Sequence, residues 1–312
     1  MTDHAYYAAQ SRITDPGRFA DRVAEVPSDL TAMRTAAREL VFHYRADGDF
    51  AANGIEASRI AEVDTRYAED MLARLFQLAD LPLGHPRAPA QRLVGCCRDF
   101  TVLFLAIARA HGVLARARVG FATYFYPGWF IDHVVAEVWD AAEGRWRLVD
   151  PELADDHAAA LDGARIDPED VAPDRFLTGP DAWRACRAGA FDVHRFVVNP
   201  EVHVPVTRGW PYVRHNLVHD LAALSKQEML LWDYWGLTEI VGVPTPEQLA
   251  ALDELAAATC SSDVPLEQVK SFAQRDGFRV PPVVTSYSPA IPVPFRVRSG
   301  REDAPVAPAA GL

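Results

Sequence analysis

The sequence predicts an α+β protein in which a buried helix packs on an antiparallel sheet. The helix is indicated by residues 101–111, a run that is apolar on nearly every face. Two strands are indicated by residues 133–139 and 145–150, and the Glu143-Gly144 step between them has the residue types of a hairpin turn. Residues able to do chemistry lie at the ends of these three elements.

A cysteine lies where the helix is expected to begin. Unpaired backbone N–H groups and the positive end of the helix dipole stabilise a thiolate, so we expect the pKa of Cys97 to fall below the usual value of about 8.5. The same N–H groups can hold an oxyanion. The neighbouring Cys96 competes for the role of nucleophile. A disulfide between the two is disfavoured, because adjacent Cα atoms are only about 3.8 Å apart.

A histidine and an aspartate lie on the two predicted strands. His133 opens the first strand and Asp150 ends the second. If the strands are adjacent and antiparallel, Asp150 can orient the imidazole of His133. Cys97, His133 and Asp150 therefore have the residue types and the roles of a thiol acyl-transfer triad.

The segment from about residue 90 to 153 resembles the core of the transglutaminase-like superfamily, relatives of the papain-type thiol enzymes. The matching positions are Gly95, Cys97, Asp99 and Phe100 at the start of the nucleophile helix, His133 and Glu137 in the family's His-x-x-x-Glu strand, and Asp150-Pro151 as its Asp-Pro element. The resemblance implies a transglutaminase-like/papain-like core. It also implies that Cys97 is the nucleophile, His133 the general base and acid, and Asp150 the orienting carboxylate.

One departure from the family pattern affects the pocket. The family commonly has Ala-Trp after the histidine, whereas this chain has Val134-Val135. The departure leaves the three triad residues in place. The shape of the acyl pocket therefore does not follow from the resemblance.

Two further residues are candidates for contact with the acyl group. Gln91 lies six residues before Cys97, a spacing at which papain-like proteases place an oxyanion-stabilising glutamine. A solvated loop glutamine is the alternative interpretation. Trp129 belongs to the aromatic turn 125–132 that leads into His133. This turn either forms a wall of the acyl pocket or covers the core.

The region 194–235 is dense in polar and aromatic side chains, and two interpretations are open. In the first, residues 213–231 form a helix that buries leucines on one side and leaves its charged side chains in water. In the second, the region is a substrate-binding lobe. Arg214, His215 and Trp232 would then face the triad and hold a polar or carboxylate-bearing substrate.

Composition limits the classes of partner and cofactor. The chain has 312 residues, is 49% hydrophobic and carries a net charge of −12. Because no basic stripe is present, we expect neither a nucleic acid nor a membrane as partner. The expected partner is a peptide or small-molecule acyl substrate. No phosphate loop, dinucleotide fingerprint or zinc spacing occurs, so we expect neither an organic cofactor nor a metal. Four cysteines that form no disulfide framework and the absence of a signal-like N-terminus predict a cytoplasmic protein.

We expect five regions along the chain. They are a helical N-terminal part of the core (1–90), the catalytic core (91–153), a C-terminal extension with the candidate lobe (154–240), a helical segment (241–279) and a Pro-rich extended tail (280–312). The first region is expected to hold a helix that Ser28 caps and that runs to about residue 45. The extension is expected to open with an acidic loop over 154–179.

The function predicted from these observations is that of a cysteine enzyme. It would cleave or transfer an acyl group from an amide or thioester through an acyl-Cys97 intermediate. With water as acceptor it is a peptidase or amidase, and with an amine it is an acyltransferase. The alternative is a non-catalytic binding or scaffold protein that retains the fold. The presence of all three triad residues argues against that alternative.

Overall fold

The structure is a computed structural model that describes residues 3–154 and 165–301. Its helices are α1 (Asp3–Ala8), α2 (Ala20–Ala24), α3 (Leu30–Leu40), α4 (Ala68–Leu78), α5 (Cys97–Ala110), α6 (Gly179–Arg187), α7 (Gly209–Leu224), α8 (Pro246–Thr259) and α9 (Leu266–Ala273). Its strands are β1 (Val41–His43), β2 (Leu93–Gly95), β3 (Ala115–Ala122), β4 (Phe130–Asp140), β5 (Arg145–Val149), β6 (Phe176–Thr178), β7 (Phe196–Val197), β8 (Asp233–Tyr234), β9 (Val283–Ser286) and β10 (Phe295–Arg298). The predicted α+β class is confirmed.

The central sheet has the strand order β5-β4-β3-β6, with neighbouring strands antiparallel, and β7 pairs in parallel with the start of β4. The predicted hairpin is present as β4 and β5, and Gly144 in its turn has the left-handed φ of 65° that suits glycine. Val149 of β5 pairs with Ala136 of β4, so the chain after β5 runs back toward His133.

Helix α5 is the buried helix that the sequence predicts, and it packs against β3 and β4. All its residues from Cys97 to Arg109 are buried. The hydroxyl of Thr101 donates to the carbonyl of Val134 at 3.0 Å and ties the first turn of the helix to the strand that carries His133. Gly112, with a φ of 71°, follows the helix and reverses the chain into β3.

Helix α7 packs against β3 of the central sheet and against the helices α6, α8 and α9. It is shorter than the predicted helix 213–231, and every residue from Tyr212 to Leu224 is buried. The expectation that its charged side chains are solvated is therefore wrong. The physical reason is charge pairing, because Asp220 accepts two hydrogen bonds from Arg118 of β3, at 3.0 and 2.8 Å.

The expected helix near the N-terminus is shifted and shortened. Asp29, not Ser28, caps it by accepting from the Ala32 N–H at 2.9 Å. The helix, α3, ends at Leu40, because Val41 and the next two residues pair in parallel with β2. Strand pairing thus competes successfully with helix propensity in this segment.

The Pro-rich segment expected as an extended tail contains a paired hairpin. Strands β9 and β10 pair with each other, and β8 completes a three-stranded sheet. Residues 302–312 of this segment lie outside the described part of the chain, as do residues 155–164 of the expected acidic loop. Among the described helices, none is long and apolar enough to cross a membrane.

Candidate active site

Cys97 is the first residue of α5, and Cys96 is its N-cap. The Asp99 carboxylate closes the turn by accepting from the Cys96 N–H at 2.9 Å. Gly95 is required next to this turn, because a Cβ there would lie 2.6 Å from Oδ2 of Asp99 and 3.0 Å from Val41. Asp99 also forms an ion pair with Arg98 at 2.9 Å. The Gly-x-Cys-x-Asp pattern therefore has a steric and a hydrogen-bonding cause.

His133 and Asp150 form the contact that the sequence predicts. Nε2 of His133 lies 2.8 Å from Oδ2 of Asp150, and both side chains are buried. The hydroxyl of Tyr124 donates to the same oxygen at 2.5 Å. The other oxygen of Asp150 accepts from the Glu152 N–H at 2.9 Å. Asp150 is thus held in one orientation and holds the His133 ring in turn.

A second carboxylate, which the sequence analysis does not identify, lies on the other side of the imidazole. Oε2 of Glu152 is 3.8 Å from Nδ1 of His133. One thiol, imidazole or carboxylate atom from each of Cys97, His133 and Glu152 lies within 4.8 Å of the other two. The site is therefore a group of four buried side chains, with Asp150 behind His133 and Glu152 beside it.

The surroundings of Cys97 hold its pKa well above the ordinary value, opposite in direction to the sequence expectation. The hydrogen bond that the thiol makes to Cys96 is the largest cause, and burial follows. The nearby Cys96 thiol and the Glu152 and Asp132 carboxylates act in the same direction. Cys97 is therefore a protonated thiol in the resting protein, and its use as a nucleophile requires a base.

His133 and Asp150 each stabilise the charged form of the other. Burial alone lowers the pKa of His133, but the Asp150 carboxylate outweighs burial and raises it. Burial alone raises the pKa of Asp150, but His133 and the hydrogen bond from Tyr124 outweigh burial and lower it. Asp150 is accordingly ionised near neutral pH, and His133 is a stronger base than a free imidazole.

A cavity of about 740 Å³ opens beside these residues. Cys97, His133 and Glu152 all line it. Much of its remaining wall is apolar and comes from segments distant in sequence, within residues 125–131, 198–207, 231–234 and 287–294. Among the described residues that line it, Arg45 is the one lysine or arginine. The thiol therefore faces a mostly apolar space large enough for a small molecule or a peptide side chain.

Gln91 and Trp129 are not among the residues that line this cavity. The side-chain oxygen of Gln91 accepts from the Ala88 N–H at 3.1 Å, which stabilises a short turn before β2. Trp129 lies in the aromatic turn, but the members of that turn that line the cavity are Phe125, Tyr126, Ile131 and Asp132. The ring centroid of Phe125 is 5.0 Å from that of His133.

Arg214, His215 and Trp232 separate into two groups. Trp232 lines the cavity, and its indole N–H donates to Asp64 at 2.9 Å. Arg214 and His215 are buried in α7 and do not line it. Arg214 donates to the Ile240 carbonyl at 2.7 Å, and Nε2 of His215 lies 2.9 Å from the Leu231 carbonyl oxygen. These two contacts join α7 to the segments that follow it.

The residues of the candidate site that the sequence analysis missed carry weak local signals. Glu152 directly follows the Asp-Pro pair, and its position beside the site is the only clue that the sequence offers. Tyr124 adjoins the aromatic turn, but nothing local indicates a contact with Asp150. Arg45 follows a strand of the small two-stranded sheet, and only the folded chain brings it to the cavity.

Comparisons with known proteins find a family match over part of the chain. Residues 82–151 match the model of the transglutaminase-like superfamily. A solved structure of a candidate cysteine protease from Cytophaga hutchinsonii is similar at 17% identity and a TM-score of 0.32, over 48% of this chain and 42% of that one. No curated protein matches the chain. The part of the chain that carries Cys97, His133 and Asp150 is thus similar to the core of the transglutaminase-like superfamily.

Proposed function

We propose that the protein is a cysteine-dependent enzyme that cleaves or transfers an acyl group from an amide or thioester through an acyl-Cys97 intermediate. One observation carries the proposal: the imidazole of His133, held by Asp150 at 2.8 Å, lies beside the Cys97 thiol at the edge of a cavity. A nucleophile, a base and a group that orients the base are the parts that such chemistry requires.

The first half of the reaction forms the acyl-enzyme. With Nε2–H donated to Asp150, Nδ1 of His133 is the free base. It takes the proton of the Cys97 thiol as sulfur attacks the carbonyl carbon. The resulting imidazolium then gives this proton to the leaving amine or thiolate as the carbon–leaving-group bond breaks. The products are a thioester on Cys97 and a neutral leaving group.

The second half returns the enzyme to its starting state. Nδ1 of His133 removes a proton from water or from an amine, and the oxygen or nitrogen attacks the Cys97 thioester. The carbon–sulfur bond then breaks and releases the Cys97 thiolate. The proton on His133 passes to this sulfur and restores the thiol. When water is the acceptor, the product is a carboxylic acid. When an amine is the acceptor, the product is an amide. A mostly apolar cavity favours an acyl group with an apolar part.

We expect the acyl donor to be a peptide or a small molecule. The cavity of about 740 Å³ suits either one. All four cysteines of the chain are free, as a reducing compartment such as the cytoplasm would keep them. We therefore propose the cytoplasm as the place of action.

The experiment is a search for the acyl-enzyme. The metal-free protein is incubated with a panel of acyl thioesters and activated amides that differ in chain length, and intact-mass and peptide mass spectrometry locate the adduct. We expect an adduct on Cys97 that is absent in Cys97→Ser and that persists longer when Asp150→Asn slows its breakdown. Adducts spread equally over Cys186 and Cys260 would contradict the proposal.

A non-catalytic binding protein is the second candidate, and one observation favours it. The surroundings that raise the pKa of Cys97 leave the resting thiol protonated and weakly nucleophilic. In that case the cavity binds a small molecule without covalent chemistry. The acyl-donor panel separates the two functions, because a pure binding protein gives saturable association and no adduct on Cys97.

A further inference from the structure

We propose that Cys97, His133 and Glu152 form a binding site for a thiophilic divalent cation, Zn²⁺ in particular, and that the bound ion blocks the thiol. One donor atom from each residue lies within 4.8 Å of the other two. A thiolate, an imidazole nitrogen and a carboxylate oxygen are the donor types that Zn²⁺ takes in proteins. The sequence contains no zinc-type spacing, because the three donors come from separate elements of the fold.

Glu152 supplies the second and independent observation. Its side chain is only 10% exposed, so water does not readily solvate it. Its Oε2 is buried and has no hydrogen-bond partner among the described residues. The 3.8 Å to Nδ1 of His133 is too long for a hydrogen bond. A buried carboxylate oxygen without a donor is costly unless a cation or a metal compensates it. An ion between Glu152, His133 and Cys97 would provide that compensation.

The support behind His133 is also that of a metal ligand. Metal-binding histidines usually give their second ring nitrogen to a carboxylate, which fixes the tautomer and the ring orientation. Asp150 does this here at 2.8 Å from Nε2, and Tyr124 holds Asp150. Nδ1 is thereby presented on the side where Glu152 lies.

The spacing of the donors suits a small ion. Zinc bonds of about 2.0–2.3 Å in a tetrahedron place ligand atoms about 3.3–3.8 Å apart. His133 and Glu152 are already at 3.8 Å, and no pair of the three exceeds 4.8 Å. Side-chain shifts of about 1 Å complete the set. All three residues line the cavity, so an ion can enter and its fourth position faces the open space.

Metal binding and thiol chemistry exclude each other at this site. On binding, the Cys97 sulfur loses its proton to solvent and forms a bond to Zn²⁺, while Nδ1 of His133 gives its lone pair to the same ion. The thiolate can then no longer attack a carbonyl, and the imidazole can no longer accept a proton. Removal of the ion restores both groups.

The test is a titration of the full-length protein, stripped with EDTA and desalted, with Zn²⁺ alone. Calorimetry and competition with a chromophoric chelator give the stoichiometry and the Kd. We expect one ion per chain, and a Kd that rises by at least about tenfold in Cys97→Ser and in Glu152→Gln. Cys186→Ser, the matched thiol control, keeps the wild-type Kd. Co²⁺ supplies a second readout, a thiolate-to-metal absorption band that is lost in Cys97→Ser.

Absence of stoichiometric binding, or a Kd within twofold of wild type in both Cys97→Ser and Glu152→Gln, would overturn the site. Thermal melts of the variants show that any loss of binding occurs in folded protein. The acyl-enzyme experiment is run without metal, so its failure and the failure of Zn²⁺ binding are separate results. Protection of Cys97 from iodoacetamide by Zn²⁺, reversed by EDTA, is the result expected if the ion blocks the thiol.

Discussion

The carboxylate of Glu152 lies 3.8 Å from Nδ1 of His133, on the side of the imidazole opposite Asp150. Burial raises the pKa of Glu152 to about 7, and the Asp150 charge adds to this, whereas His133 acts against it. The two carboxylates at His133 therefore differ in protonation near neutral pH, with Asp150 ionised and Glu152 partly protonated. One orients the base, and the other is poised to gain or lose a proton.

Replacement of Glu152 by Gln is expected to stabilise the protein at alkaline pH. In the unfolded chain the carboxyl loses its proton near 4.5, whereas in the folded protein it does so near 7. The folded state is therefore penalised as the pH rises from about 4.5 to 7, and the full penalty remains above 7. The pKa difference corresponds to about 3 kcal/mol as an upper figure.

Urea denaturation at pH 5 and at pH 8, with EDTA present, measures this effect. Glu152→Gln should gain stability over wild type at pH 8 and gain much less at pH 5. Glu56→Gln, a surface substitution, should change stability equally at both pH values. A Glu152→Gln gain that does not depend on pH would contradict the assigned titration.

Loss of the Tyr124 hydroxyl is expected to weaken the base. Tyr124→Phe removes the 2.5 Å hydrogen bond that helps to keep Asp150 ionised. A hydrogen bond to a charged group contributes about 1.5–3 kcal/mol, so we expect alkylation of Cys97 to slow by about tenfold or more. Stopped-flow or timed-quench alkylation gives the rate. Tyr6→Phe, which removes a 2.9 Å hydrogen bond to the Ser225 carbonyl, should leave the rate unchanged; equal slowing in both would refute the role of Tyr124.

The buried pair between Arg118 and Asp220 is expected to hold α7 on the sheet. Asp220→Asn leaves the Arg118 guanidinium with only the Glu137 carboxylate, at 3.0 Å. Loss of one partner from a buried pair costs about 3–5 kcal/mol. Asp253→Asn is the control, because Asp253 and Arg187 are each about 40% exposed, and such a pair contributes about 1 kcal/mol or less. Similar denaturation midpoints for the two variants would mean that the buried pair contributes little to holding α7 on the sheet.

Gly95 is expected to tolerate no side chain. Gly95→Ala places a methyl group 2.6 Å from Oδ2 of Asp99 and 3.0 Å from Val41, so the start of α5 must move. We expect a loss of about 1–3 kcal/mol in the free energy of unfolding and slower alkylation of Cys97. Gly84→Ala has nothing within 4 Å of the new methyl group and serves as the control. Calorimetric melts of both variants decide the point; no difference between them would show that the turn is not tightly packed.

The part of the fold that carries Cys97, His133 and Asp150 was predictable from the sequence because its signals are local. Cys97 begins a helix whose apolar run is visible in the sequence, and the hairpin that carries His133 and Asp150 is marked by its turn residues. Glu137, the acidic residue of the His-x-x-x-Glu strand, pairs with Arg116 and Arg118 at 2.6 and 3.0 Å. Each of these inferences needed only the order of neighbouring elements.

The rest of the site depends on contacts between distant segments. The cavity wall includes residues from 198–207 and 287–294, which no local pattern connects to Cys97. The polar residues of α7 predicted a solvated face, but the partner of Asp220 lies more than 100 positions earlier in β3. The pKa of Cys97 was predicted from the helix terminus alone, whereas Cys96, burial and nearby carboxylates determine its direction. The boundaries between the five expected regions stay a prediction.

The most direct test is alkylation of the native, metal-free protein with limiting iodoacetamide from pH 5 to 9, with peptide mass spectrometry to locate the label. We predict that Cys97 reacts faster than Cys186 and Cys260. We also predict that its rate increases with pH as His133 loses its proton. The midpoint of that increase should lie above the ordinary pKa of imidazole, because the pKa of His133 is raised. His133→Ala should slow Cys97 by at least about tenfold, the size typical of lost base catalysis, while the exposed His85→Ala should not. A Cys97 that is as inert as Cys186, or that reacts equally fast without His133, would contradict the thiol–imidazole pair on which the proposed function depends.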